Sequence, residues 1–338
     1  MSEITFATQE RFTNRSGLRS SASRAESGSM KTFIQTVAAA TCALLGGTNA
    51  FGQASSPRPP VIDIHVHAPA SAIPGWHSVD SALNIRYRLV TVATPELDVW
   101  HRAGTDRFLP ALGFPCDKGK AVFSGAQCYE TMTDLPDLTS LRELVKTGRI
   151  KAFAELIPQY VGMSPTDPRL MPYYALAEEF DIPVGIHMGP GPPGAAYDLG
   201  GRRSKTPDFR QAWNDPILLE AVLLQHRKLR LFVMHAGWPM LESMTALLYA
   251  HPNVYVDVGV LQRTGLVPRA AYYRHLRGLV DAGFGKRIMF GSDSPAGQLR
   301  QGIEAVVAAD FLTEEQKGDI LCGNAQRFFR LPDILCRR

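Results

Sequence analysis

The chain is 338 residues long, with 45% hydrophobic and 20% charged residues and a formal net charge of +4. That composition is the one expected of an ordinary globular protein with ample core, and it excludes a disordered or fibrous chain; the length suits one large domain or two average ones. Much of the small positive charge lies near the amino terminus, where Arg11, Arg15, Arg19, Arg24 and Lys31 are opposed only by Glu3, Glu10 and Glu26. No basic nucleic-acid face is therefore expected on the folded part.

In chain order, residues 1–29 are rich in serine and arginine and show no apolar periodicity. Met30-Lys31 then opens a charged region, Phe33 to Leu45 is apolar, and small residues follow at Thr48-Asn-Ala50 and Gly52-Gln-Ala54. This is the three-part layout of a secretory signal peptide, with an apolar part too short for a comfortable membrane span. The expectation is a start at Met30, a leader over 30–54, and a mature protein exported to the periplasm or secreted. Residues 55–60 form a proline-rich connector. Loss of the leader removes Cys42 and leaves Cys116, Cys128, Cys322 and Cys336. Disulfides are permitted in an oxidising compartment, and four cysteines allow three pairings. In one of them, Cys116 with Cys128 closes a loop after the third strand and Cys322 with Cys336 staples the C-terminal helix.

Apolar runs of strand length recur at 61–66, 88–94, 108–114, 150–156, 182–188, 230–236, 254–259 and 287–293. Between them lie segments whose apolar residues recur three and four apart, namely Leu138–Thr147, Arg169–Phe180, Pro216–Gln225, Leu241–Ala250 and Tyr272–Ala282. Eight strands alternating with helices predict a single-domain α/β fold, a (β/α)8 TIM barrel over 61–333. A final helix is expected near Thr313, where Thr313-Glu-Glu-Gln316 has capping-box spacing.

Four of these strands end in a metal-ligand type. Strand alternation places His65 and His67 on one face. Ile182-Pro-Val-Gly-Ile-His187 and Leu231-Phe-Val-Met-His235 each end in a histidine before a glycine-bearing loop, and Ile288-Met-Phe-Gly-Ser-Asp293 ends in an aspartate. In a parallel barrel the carboxyl ends of the strands meet at one mouth, so all five side chains are expected to face one cavity.

Asp63-Ile-His-Val-His67, the strand-ending His187, Met234-His-Ala-Gly-Trp238, Gly291-Ser-Asp-Ser294 and the closing Gly323-Asn-Ala-Gln-Arg-Phe-Phe-Arg-Leu331 resemble the amidohydrolase superfamily. The likeness is to the amidohydrolase-2 group, which includes aminocarboxymuconate semialdehyde decarboxylase and various lactonases and hydrolases. It runs from about Val61 to Leu331, and its motifs mark the superfamily without marking a substrate. The resemblance implies that His65, His67, His187 and Asp293 bind a divalent metal, most often zinc, with a position left for water. It also implies that Asp293 takes the water's proton and that His235 polarises the substrate carbonyl or positions the water, with the metal-bound hydroxide as nucleophile.

Strand 4 departs from the many superfamily members that carry a carboxylated lysine there. Lys151 lies roughly 13 Å below Glu155, at about 3.3 Å per residue, too deep for the mouth. Glu155 is at the right level, either bridging a second metal or orienting a histidine from outside the ligand set. One zinc per chain is favoured, with two as the alternative. Trp238, three residues beyond His235, is the leading candidate for a substrate wall, with Trp76 and Tyr197 beside it. Arg202, Arg203, Lys205 and Arg210 could attract an anionic substrate, or simply form a solvated loop. Asp257 is a candidate buried polar partner.

The leading expectation is a metal-dependent hydrolase acting on an amide, ester or lactone carbonyl, with a nonoxidative decarboxylase of the same family as the alternative. A silent binding protein has no use for the strand-8 aspartate or the strand-6 histidine. The expected partner is a small-molecule substrate, carboxylated or aromatic, with no nucleic acid and no stable membrane span; a homo-oligomer is compatible with the sequence.

Overall fold

Short runs of valine, isoleucine, leucine and phenylalanine make the strands, because a parallel sheet covered on both faces needs near-continuous apolar sequence. They are β1 Val61–His67, β2 Ile85–Val92, β3 Phe108–Phe114, β4 Ala152–Leu156, β5 Val184–His187, β6 Leu231–Met234, β7 Val254–Asp257 and β8 Ile288–Met289. The computed structural model describes residues 58–197, 206–293 and 296–337. Residues 1–29, the expected leader, the first half of the connector, and Arg202, Arg203 and Lys205 lie outside the described residues.

Each strand pairs in parallel with its sequence neighbour, in the order β1 to β8. Two backbone bonds join the ends, Ile64 N–H to the Phe290 carbonyl (3.1 Å) and Asp293 N–H to the His65 carbonyl (2.9 Å). The result is the expected TIM barrel. Ile62, Ile64, Leu89, Ala111, Phe232 and Met289 fill its interior over Phe328 and Phe329, while Val61, Val66, Val90, Leu112, Val233 and Val256 pack outward. The β1 register shifts between Asp63 and Val66. That irregularity lets His65 and His67 reach the mouth although Ile62 and Ile64 lie in the inner layer.

The helices that cover the barrel are α1 Ile73–Leu83, α2 Leu97–Ala103, α3 Leu138–Lys146, α4 Met171–Glu179, α5 Glu220–Gln225, α6 Leu241–Ala250, α7 Arg269–Leu279 and α8 Ala296–Val307. The side chain of Asp137 caps α3 by accepting from Ser140 N–H, and the capping box at Thr313 and Gln316 starts the helix Glu314–Gly318. Disulfides join Cys116 to Cys128 and Cys322 to Cys336. Among the described residues, no helix is long and apolar enough to cross a membrane.

Some boundaries differ from the periodicity. β2 starts at Ile85, not at residue 88, and β6 and β8 pair over fewer residues than expected. The ladder stops early because the chain turns at the residues with chemistry. His235 (φ 60°), Ala236 (φ 48°) and Asp293 (φ 44°) all adopt the left-handed conformation that L side chains seldom take.

Candidate active site

His65, His67, Glu155, His187, His235 and Asp293 converge at the carboxyl ends of β1, β4, β5, β6 and β8. Glu155 is buried at their centre. Its Oε1 lies 2.9 Å from His187 Nδ1 and 3.1 Å from His235 Nε2, and its Oε2 lies 3.1 Å from His67 Nε2 and 3.6 Å from His65 Nε2. Asp293 Oδ1 is 3.6 Å from His65 Nε2 and 3.8 Å from His67 Nε2. The side chains of His67 and Asp293 are 42% and 25% exposed, so the site opens on their side.

The remaining ring nitrogens of the three buried histidines are engaged elsewhere. His65 Nδ1 donates to the Asp257 carboxylate (3.2 Å), His235 Nδ1 donates to the Gly259 carbonyl (3.1 Å), and His187 Nε2 meets Tyr160 Oη (3.4 Å). A carbonyl or carboxylate partner fixes an N–H on that nitrogen, so His65 and His235 present a lone pair at Nε2 in their neutral form. Asp257 also accepts from the His235 and Gly259 amides, which makes it the buried partner expected from sequence. Close approach around His65 depends on glycine: a Cβ at Gly259 would meet His65 Nδ1 at 2.5 Å, and one at Gly291 would meet His65 Cβ at 2.6 Å.

A second layer fixes β1 against β8. Asp63 is fully buried and accepts from the Ser292 amide (2.8 Å), the Ser292 hydroxyl (2.7 Å) and Arg88 Nη1 (3.2 Å). Ser292 precedes Asp293, so this network sets the backbone that carries the carboxylate. Gln159, also fully buried, donates to the His187 carbonyl at 2.7 Å. No pattern in the sequence marks Tyr160, Gln159 or Arg88; only their proximity in the fold to the candidate cluster does.

The aromatic candidates separate. Trp76 packs against Trp100 and Phe108 in the core, with Arg88 over its ring, and so is not a pocket wall. Trp238 is half-buried against the outer core, and Tyr197 and Arg210 are exposed.

The sequence model of the Amidohydrolase family matches residues 62–331. The chain belongs to that family. Solved structures similar to it include an uncharacterized TIM-barrel protein from Bordetella bronchiseptica, 18% identical, TM-score 0.57, covering 80% of this chain and 99% of the other. A dihydroxybenzoic acid decarboxylase from Polaromonas sp. JS666, with bound manganese and the inhibitor 2-nitroresorcinol, is 14% identical, TM-score 0.52, covering 81% and 97%. A probable 2-pyrone-4,6-dicarboxylic acid hydrolase from Acinetobacter baumannii, with citric acid bound, is 14% identical, TM-score 0.54, covering 80% and 99%. No curated protein matches the sequence.

The family's divalent metal fits this cluster. His65 Nε2 is buried with no hydrogen-bond partner, a costly arrangement for a lone pair unless a ligand supplies what the protein does not. Three triads bring ligand atoms within 4.8 Å of one another: His65, His67 and Glu155; Glu155, His187 and His235; and His65, His235 and Asp293. Electrostatics agree. Burial works to raise the Glu155 pKa, but hydrogen bonding to His187 and His235, with His65 and His67 beside it, holds it well below the usual carboxylate range. Burial opposes a proton on His65, yet Asp257 and Asp293 raise its pKa well above 6.5. Burial likewise opposes charge on His235, which hydrogen bonding to Glu155 nevertheless raises, while burial and His235 lower His187.

A pH dependence follows with a definite sign. The raised pKa values of His65 and His235 keep those imidazoles protonated to higher pH in the ion-free site, and a metal must displace those protons. Ion affinity is therefore expected to rise with pH upward from the ordinary imidazole value of 6.5, with proton release on binding. Calorimetry in buffers of different ionisation enthalpy measures that release; ion uptake with none, and an affinity flat across neutral pH, would sink the expectation.

Proposed function

We propose that this amidohydrolase-family protein is a metal-dependent hydrolase that splits an amide, ester or lactone, and that its residues would hold two divalent ions, with Glu155 in both ligand sets. The position of Glu155 carries the reading. A carboxylate that merely orients a ligand meets the imidazole nitrogen facing away from the metal. Here those outer nitrogens belong to Asp257, Gly259 and Tyr160, and Glu155 faces the inner ones. His65, His67, Glu155 and Asp293 would hold one ion, and Glu155, His187 and His235 the other. His235 then serves as a ligand rather than as the carbonyl polariser that the resemblance implies, and one ion per chain gives way to two.

Imidazole and carboxylate donors suit zinc or manganese. When bound, the ions polarise the substrate oxygen and lower the pKa of a water toward neutrality. Asp293, beside the opening, accepts the proton of the attacking water and returns it to the leaving group. Asp257 and the Gly259 carbonyl keep His65 and His235 in the tautomers that leave Nε2 free. We place the enzyme outside the cytoplasm, a reading supported by the leader-like sequence and by two disulfides.

The fold likeness to a decarboxylase favours a second reading, nonoxidative decarboxylation at the same ligands. A panel of lactones, amides and aromatic carboxylates, run beside elemental analysis, separates the two. Hydrolysis at about two ion equivalents supports the first; carbon dioxide release without hydrolysis overturns it. Asp293→Asn is expected to lower turnover by about two to four orders of magnitude, the usual span for a general base, and His65→Ala to lower ion content as well. Full ion content with normal turnover in His65→Ala would refute the ligand assignment.

A further inference from the structure

The connection between β3 and α3 spans residues 115–137, longer than most loops inside a compact domain, and loops of that length usually serve function. It is firmly built. The Cys116–Cys128 disulfide closes its base, antiparallel bridges join Asp117 to Lys120 and Lys120 to Gln127, and Thr94 N–H donates to the Cys128 carbonyl at 3.0 Å. Within it, Ala121 N–H donates to the Ala126 carbonyl and Gly125 N–H to the Ala121 carbonyl, each at 2.8 Å, which makes a tight turn with Phe123 at its tip.

Following β3, this finger rises at the same end of the barrel as Glu155 and His187. The Phe123 ring stands edge-on to Tyr160, with centroids 5.0 Å apart, and Tyr160 in turn lies 5.2 Å from His187 and 4.9 Å from Phe209. Tyr160, Ala195 and Phe209 form a small apolar cluster apart from both barrel layers. One edge of this cluster is the ring whose hydroxyl meets a candidate ligand, and the other is Phe123, still 53% exposed. A phenylalanine held half in water on a stapled turn contributes little to folding. Its free surface suits a ligand approaching the opening.

We propose that Phe123 is a specificity-determining residue: the tip of the disulfide-closed finger is the outer wall of the substrate pocket, and its free surface takes a planar conjugated ring of the substrate. The inference rests on reading the histidine and carboxylate cluster as the active centre. Edge-to-face and offset ring pairs gain beyond simple area burial, whereas a saturated ring of equal size gains only the area. Tyr160 stands between Phe123 and His187 and so links the wall to the cluster.

The test compares benzoate with cyclohexanecarboxylate, which share charge and carbon number and differ in planarity. Each is titrated calorimetrically into the metal-loaded full chain. The wild type is expected to prefer benzoate by about threefold to tenfold, the worth of one aromatic pair. Phe123→Ala, and Phe123→Leu with its apolar bulk kept, should each bring that ratio near unity with metal content unchanged. Equal affinities in the wild type, no binding of either acid, or a preference that survives Phe123→Ala overturns the proposal. A chain that takes up no ion yet shows the Phe123-dependent preference refutes the metal reading alone. Full ion loading with no effect at Phe123 refutes this one alone.

Discussion

Glu155→Gln is expected to release at least one of two bound ions and to lower turnover by more than about a hundredfold, the upper end of what losing an outer partner costs. The substitution keeps the shape of the side chain and removes its charge. In the native site that charge faces the nitrogens of His65, His67, His187 and His235 between 2.9 and 3.6 Å. An amide can present its oxygen to one side only, and its NH2 would point at lone pairs on the other. Elemental analysis of reconstituted protein reads the result directly. Two equivalents retained in Glu155→Gln, with activity lowered only tenfold, would show that the carboxylate merely orients its neighbours and that the two-ion reading is wrong.

The barrel and five of the six converging residues are legible in the sequence because both rest on strands. A strand's apolar run announces itself, and whatever polar residue ends it must stand at the mouth. Glu155 shows where that reasoning stops. Its level along β4 is given by the rise per residue, but whether it faces the inner or the outer nitrogens of the histidines depends on what Asp257, Gly259 and Tyr160 do. One of those partners is a main-chain carbonyl, which no side-chain pattern marks. Tyr160, Gln159 and Phe123 sit in connections without period. Helices α1 and α2 were not among the helical segments expected from periodicity; α1 carries Pro74 and Gly75 in its first turn, and α2 spans only Leu97–Ala103. The start of β2 was lost for a different reason. Arg86 and Arg88 interrupt the apolar run there, yet Arg88 is buried, and its burial is intelligible only with the carboxylates it meets.

Those carboxylates make Arg88 the position of largest expected effect on stability. Its guanidinium donates to Asp80 through Nε (3.1 Å) and to Asp63 through Nη1 (3.2 Å), and it stacks 4.6 Å over the Trp76 ring. Arg88→Met fills similar volume but leaves two buried carboxylates short of a cation. Breaking a buried pair from one side typically costs about 3–5 kcal/mol. Asp80 keeps Arg107 as a partner, whereas Asp63 retains only neutral donors, so the damage concentrates at Asp63. Burial already raises the Asp63 pKa, against the lowering effects of Arg88 and Ser292, and loss of Arg88 should raise it further. A carboxyl that holds its proton more tightly folded than unfolded favours the native state below its ordinary pKa of 3.8, and this advantage is lost as pH rises through the folded value. The deficit of Arg88→Met relative to the wild type should therefore widen from acid toward neutral pH in urea unfolding. Activity should fall too, because Asp63 holds the Ser292 amide and hydroxyl that precede Asp293. A variant as stable as the wild type at neutral pH, or a deficit that shrinks as pH rises, would show that this network does not lock β1 to β8.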